Sequence, residues 1–131
     1  PQGRDVLVVD DDRSFVAFLR RALESMAPDR QVHAAHDASG ALAAVRKYRP
    51  GLVLLDIVMP GTDGFAVAET IRREVSSDDL RIAAVTGASP AEDVISANGQ
   101  EFAVRLGRGF RGDELQSLMR SAFESIRPSY V

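Results

Sequence analysis

An α/β fold on a parallel sheet is predicted by two features of the sequence. Apolar, β-branched-rich runs at 6–9, 52–55 and 82–85 are strand-length and bounded by polar or turn residues, as expected of strands buried on both faces. Between them lie segments with helical periodicity, so strand and helix alternate along the chain without repeat or linker. A third feature is chemical: the runs stop at Asp10 and Asp11, at Asp56, and at Thr86. Ligands of open parallel sheets bind beyond the strands' carboxyl ends, so these four side chains are expected to meet there.

The first strand, Val6 to Val9, leads to Asp11 or Asp12 as the cap of a helix. Its periodic apolar positions are Phe15, Phe18, Leu19, Leu23 and Met26, and Pro28 ends it. Val32 to Ala35 reads as a second, weaker strand. Asp37 caps a helix over Ala38 to Tyr48 with Ala41, Leu42 and Val45 inward, and Pro50-Gly51 punctuate before the strongest strand, Leu52 to Leu55. Ile57 to Gly64 is a Pro- and Gly-rich loop, followed by a helix with Val67, Ala68, Ile71 and Val75 inward. After Ile82 to Val85, Ser89-Pro90-Ala91-Glu92 has capping-box spacing with Pro at the first helical position, predicting a helix to about Asn98. Phe102 to Leu106 is the last strand. Asp113 caps a final helix carrying Leu115, Leu118, Met119, Ala122, Phe123 and Ile126. The count is five strands and five helices.

The 131 residues fit one domain, 1–131, large enough to bury a substantial core. The start at Pro1 rather than Met suggests a segment excised from a longer parent. A net charge of −3 argues against a nucleic-acid surface, and the absence of cysteine excludes thiolate chemistry, disulfides and Cys-ligated zinc. No apolar run approaches the roughly 20 residues of a membrane span, so a soluble, cytoplasmic protein is expected. Of the 16 basic residues only Lys47 is a lysine. Arg20-Arg21 and Arg72-Arg73 read as solvated helix faces, and His33 and His36 as surface histidines on opposite sides of a strand. No phosphate-cradling G-x-x-x-x-G-K-[ST] loop is present.

Three carboxylates in one crevice call for a cation, since two unit charges about 4 Å apart repel by about 4 kcal/mol at an effective dielectric near 20. Mg2+ fits best, because it takes oxygen ligands and bridges carboxylates to phosphate oxygens. Asp56, held ionised beside it, could attack phosphorus to give an acyl phosphate, with the Thr86 hydroxyl donating to a phosphoryl oxygen.

Val6-Leu7-Val8-Val9-Asp10-Asp11-Asp12, Leu54-Leu55-Asp56-Ile57-Val58-Met59-Pro60-Gly61-Thr62-Asp63-Gly64 and Val85-Thr86-Gly87 together resemble the receiver domain of bacterial two-component response regulators. The resemblance covers nearly the whole chain, and the Asp56 block is its most specific part. It implies a flavodoxin-like, CheY-like doubly wound (βα)5 three-layer sandwich of strand order 2-1-3-4-5. It further implies that Asp56 accepts a phosphoryl group from a histidine kinase or phosphotransfer protein. Asp11, Asp56 and the Val58 backbone carbonyl would ligate Mg2+, with Asp10 acting through water, and Thr86 and Phe102 would form a switch pair. Output would pass to a downstream protein or fused effector domain, or through a homodimer on the last two helices and last strand. Neither direct nucleic-acid nor membrane contact is expected. Apart from self-catalysed phosphoryl transfer to Asp56, no enzymatic activity is implied.

The last strand departs from the family's pattern of a lysine followed by a proline. Counting from Phe102, Arg105 takes the lysine position and Leu106 the proline position, with Arg108 a second candidate; a planar guanidinium is no conservative replacement for an ammonium. Val58 and Ala88 stand at the two positions that tune phosphoryl lifetime in the family, and neither side chain can position a hydrolytic water. Two other readings remain open at this level. A pseudo-receiver would keep the fold as a phosphorylation-independent interaction module, and Asp10 and Asp12 could serve a phosphohydrolase of the haloacid dehalogenase type.

Overall fold

Residue pairing along the strands shows why the apolar runs lie where they do. The computed structural model describes residues 4–56, 58–59, 62–75, 79–86, 104–107 and 111–125. Within them run β1 (Val6–Val9), α1 (Arg13–Met26), β2 (Val32–Ala35), α2 (Ala38–Tyr48) and β3 (Leu52–Asp56). There follow β4 (Val58–Met59), β5 (Thr62–Asp63), α3 (Gly64–Glu74), β6 (Arg81–Thr86), β7 (Val104–Gly107) and α4 (Gly112–Ser125). The main sheet is five-stranded, in the order β2-β1-β3-β6-β7, and every pair in it is parallel. This is the doubly wound order 2-1-3-4-5.

Alternate residues of each strand face opposite layers. Leu7, Val9, Val53, Leu55 and Ile82 pack with the inner faces of α2 and α3. Val6, Val8, Leu52, Leu54 and Ala83 pack with α1 and α4. All of β1 and β3 is buried, so neither strand tolerates a polar side chain before its end. The inner face of α1 is Val16, Leu19 and Leu23. Phe15 packs only partly and Phe18 is 52% exposed, which corrects the inward reading of Phe18 and Met26: helical period alone does not fix which neighbouring stripe meets the sheet. On α2 the buried set is Ala41, Ala44 and Val45, with Leu42 at the margin.

Local chemistry sets the helix ends. Asp12, not Asp11, caps α1, accepting from Ser14 N and Phe15 N at 3.1 Å each. Asp37 accepts from Gly40 N at 2.7 Å and caps α2, while Arg49 closes that helix in the left-handed region at φ 49. At α4 the expected cap is displaced. Asp113 lies inside the first turn, and Arg111 precedes the helix with its N–H donating to Glu114 Oε1 at 3.0 Å, the returning half of a capping box. The supposed loop after β3 contains an antiparallel ladder, Val58 opposite Asp63 and Met59 opposite Thr62. β7 continues to Gly107, one residue beyond the expected end; the expected helix over 90–98 lies outside the described residues.

Two histidines and one arginine also depart from their surface reading. His33 Nε2 meets Asp5 Oδ2 at 2.9 Å and its ring stacks on Tyr48 at 3.7 Å between centroids. His36 is half-buried, and Arg72 Nη1 donates to the Leu80 carbonyl at 2.5 Å, tying α3 to the approach of β6. The outer edges of α2 and α3 are joined where Arg46 Nε donates to both Glu74 carboxylate oxygens at 3.1 Å. Hydrogen bonding to Arg46 holds the Glu74 carboxyl below its ordinary range, with the guanidinium's charge adding to it, and the same bond raises Arg46.

Two outcomes follow from this packing. Leu54→Ala, which empties a fully buried position between sheet and α1/α4, is expected to cost about 2–5 kcal/mol in urea unfolding. A depressed carboxylate contributes stability above its unfolded pKa, about 4.3 for Glu, and loses it as pH falls through the lower folded value. The stability gap between wild type and Glu74→Gln should therefore be constant above about pH 5 and close below that range; a gap that widens on acidification would contradict the assignment.

Candidate functional site

Sheet register builds the site. Val9 pairs with Leu55 and with Ala35, so Asp10, Asp56 and His36 come level with one another at the strands' carboxyl ends. Asp56 is level with Val85, which puts the Thr86 backbone one residue further along β6, opposite Gly107 of β7. Asp10 and Asp56 are 1% and 3% exposed, respectively. Asp11 is exposed, and one carboxylate oxygen from each of the three aspartates lies within 4.8 Å of the others.

The three consecutive aspartates have separate tasks. Asp10 Oδ1 accepts from Asp12 N at 2.9 Å, which folds the turn out of β1. Asp12 turns its carboxylate back to the helix N-terminus. Asp11 is left at the solvent side of the cluster. An all-oxygen donor set with two buried members and one open side matches a hard divalent cation that keeps water ligands. In its absence the clustered charges oppose one another within a region of reduced dielectric.

His36 was not legible as a site neighbour. Its Nδ1 lies 3.0 Å from the Asp10 carbonyl oxygen, so Nδ1 carries the proton and donates. The bond steadies the backbone from which Asp10 and Asp11 project. No sequence pattern marks it, because the pairing depends on β1 and β2 ending at the same level.

The remaining expected residues divide into two groups. Val58 stands at the start of the β4–β5 ladder, two residues past Asp56. Arg105 pairs with Ala84 and is level with Leu55, one step short of Asp56 and two residues before the end of β7. Phe102, Ala88 and Arg108 lie outside the described residues.

Comparison with known proteins identifies the class. Residues 6–120 match the family model described as the response regulator receiver domain, and the chain belongs to that family. It is a receiver domain of two-component response regulators. Among its relatives, response regulator MprA of Mycobacterium avium is 32% identical over 123 residues, covering 94% of this chain and 52% of that protein. The chain thus spans about half the length of that relative. The cyclic di-GMP phosphodiesterase response regulator RpfG of Xanthomonas campestris is 37% identical over 84 residues, covering 64% of this chain and 22% of its own length. The receiver domain of NtrX from Brucella abortus superposes with a TM-score of 0.75 at 29% identity, over 92% of this chain and 98% of that one. A CheY-like receiver from Methanospirillum hungatei, at 23% identity, shares the fold with a TM-score of 0.78 over 92% of this chain and 94% of that one.

Neutralising one buried member of the cluster should relieve the repulsion. In buffer with EDTA, Asp56→Asn is expected to raise the urea midpoint, by about 1–3 kcal/mol in stability. A lowered midpoint would show that the carboxylates do not repel one another as the geometry requires.

Proposed function

We propose that Asp56 accepts a phosphoryl group from a phosphohistidine of a histidine kinase or phosphotransfer protein. The observation that carries this reading is the meeting of Asp10, Asp11 and Asp56 oxygens within 4.8 Å, in a chain of the receiver family. A carboxylate oxygen of Asp56 attacks phosphorus; the O–P bond forms as the N–P bond of the donor breaks, and the electron pair returns to the donor imidazole. The product is an acyl phosphate. Asp10, Asp11 and Asp56, with the Val58 backbone carbonyl, are the ligands we assign to Mg2+, which when bound supplies positive charge against the carboxylates and the incoming phosphoryl oxygens. Burial of Asp10 and Asp56 limits water at the reacting atoms.

Thr86 is assigned the hydroxyl that meets the phosphoryl group, a role supported by its place one residue beyond the level of Asp56. Arg105 is assigned the place of the family's lysine, with Arg108 as the second candidate. Arg105 sits within β7 at the level of Leu55, whereas Arg108 follows the strand's last residue in the chain. Phe102 keeps its assignment as partner of Thr86 in the switch, and the added charge of about −1.5 to −2 drives the change. Output passes through the face of β7 and the last two helices, to a downstream protein, a second copy or a fused effector. That the MprA relative is about twice as long supports an excised receiver of a longer cytoplasmic regulator. The chemistry assigned to the receiver itself is the self-catalysed transfer, and the pseudo-receiver reading is not favoured.

Incubation with acetyl phosphate and Mg2+ should add one phosphoryl group by intact mass, absent in Asp56→Asn and in EDTA. Loss of the phosphoryl group should be slow, over hours rather than seconds. No mass gain with acetyl phosphate or phosphoramidate would overturn the assignment.

A further inference from the structure

The main sheet ends on one side at β2, which among the described residues pairs with β1 alone. Carbonyls of Gln31 and Ala35 accept from Val6 and Asp10 on the β1 side. By alternation along a parallel strand, the N–H and C=O groups of Val32 and Ala34 face outward. Natural edges are commonly blunted by proline, a bulge or a charge on the strand itself. Val32–Ala35 carries none of these, and its one titratable side chain, His33, is engaged with Asp5 and Tyr48.

Beside this edge runs a trough between α1 and β2. Two cavities of about 450 and 460 Å³ adjoin at Arg20 and Glu24, lined on the strand side by Gln31, Val32 and His33 in one and by Ala34 and His36 in the other. Arg13, Arg20, Arg21 and Arg30 line the trough, against Glu24 as its one carboxylate among the described residues. Glu24 pairs with Arg20 at 3.3 Å. Arg13 and Arg21 make no ion pair among the described residues.

We propose that this trough takes an acidic polypeptide segment in extended form, added as a strand to the outer edge of β2, with its carboxylates on Arg13, Arg20 and Arg21. Outward N–H and C=O groups at alternate residues match a polypeptide backbone. The excess of guanidinium over carboxylate selects an acidic segment over a basic one. A chain of net charge −3 repels nucleic acid at long range, and a lining that runs along the strand from Gln31 to His36 offers more than a single small anion would use. At its upper end lies His36, bonded to the Asp10 carbonyl, so the bound segment touches the turn that carries the acidic cluster. Nothing in this inference depends on phosphorylation of Asp56.

The probe is the peptide acetyl-Glu-Val-Glu-Val-Glu-Val-Glu-amide, titrated into the full 15N-labelled chain, and separately into Asp56→Asn. Amide shifts are expected to centre on Val32 and Ala34, equally in both proteins. Binding should weaken at least tenfold for the Arg13→Glu/Arg21→Glu double variant, whose exposed positions leave the core intact as checked by circular dichroism. The fully N-methylated peptide, which keeps the charge but cannot donate to the edge, should lose binding. The proposal is overturned by equal affinity for the N-methylated peptide or for a lysine-for-glutamate peptide. It is equally overturned by tighter binding of a single-stranded oligonucleotide or of ATP at the same residues, or by no shifts at millimolar peptide.

Discussion

Two carboxylates buried side by side at the ends of adjacent parallel strands are the constraint around which this domain is organised. Removing each charge from water costs several kcal/mol even after relaxation, and Asp10 and Asp56 are almost fully enclosed. That cost is borne by the two apolar layers that fix β1 against β3. The register Val9 opposite Leu55 brings the aspartates together, and a slip of one residue would turn each core-facing side chain to the opposite layer.

Everything nearby serves to present those charges rather than disperse them. Asp10 folds its own turn through Asp12 N, Asp12 starts α1, and His36 holds the Asp10 carbonyl from the neighbouring strand. Of the three clustered carboxylates, only Asp11 opens to solvent. A site with buried negative charge and one open side suits a hard divalent cation, and the phosphoryl transfer proposed for Asp56 would use it. The basic trough between α1 and β2 is electrostatically opposite to the acidic site, and the two are joined through His36.

Much of this was legible in the chain itself. Strands buried on both faces must be written in apolar residues, so β1, β3 and β6 announced themselves, and so did the point where each stops. Caps carry their own chemistry, and Asp37 was readable for that reason. The readings that failed involve choices between equivalent local options. Phe18 obeys the helical period of α1 yet lies outside the stripe that meets the sheet. Asp113 is a good cap residue, but Arg111 and Glu114 form the turn that starts the helix.

Sequence by itself determined the class of fold, the acidic triplet, the candidate acceptor and the order in which they occur, because burial on two faces and the end of a strand leave a direct imprint on residue type. Tertiary structure decided what composition cannot encode: the partners of His33 and His36, the tie from Arg72 to Leu80, and the outer edge of β2, unpaired among the described residues, beside four arginines. These depend on distance between segments remote in the chain. Only the packing of helices onto a registered sheet sets that distance.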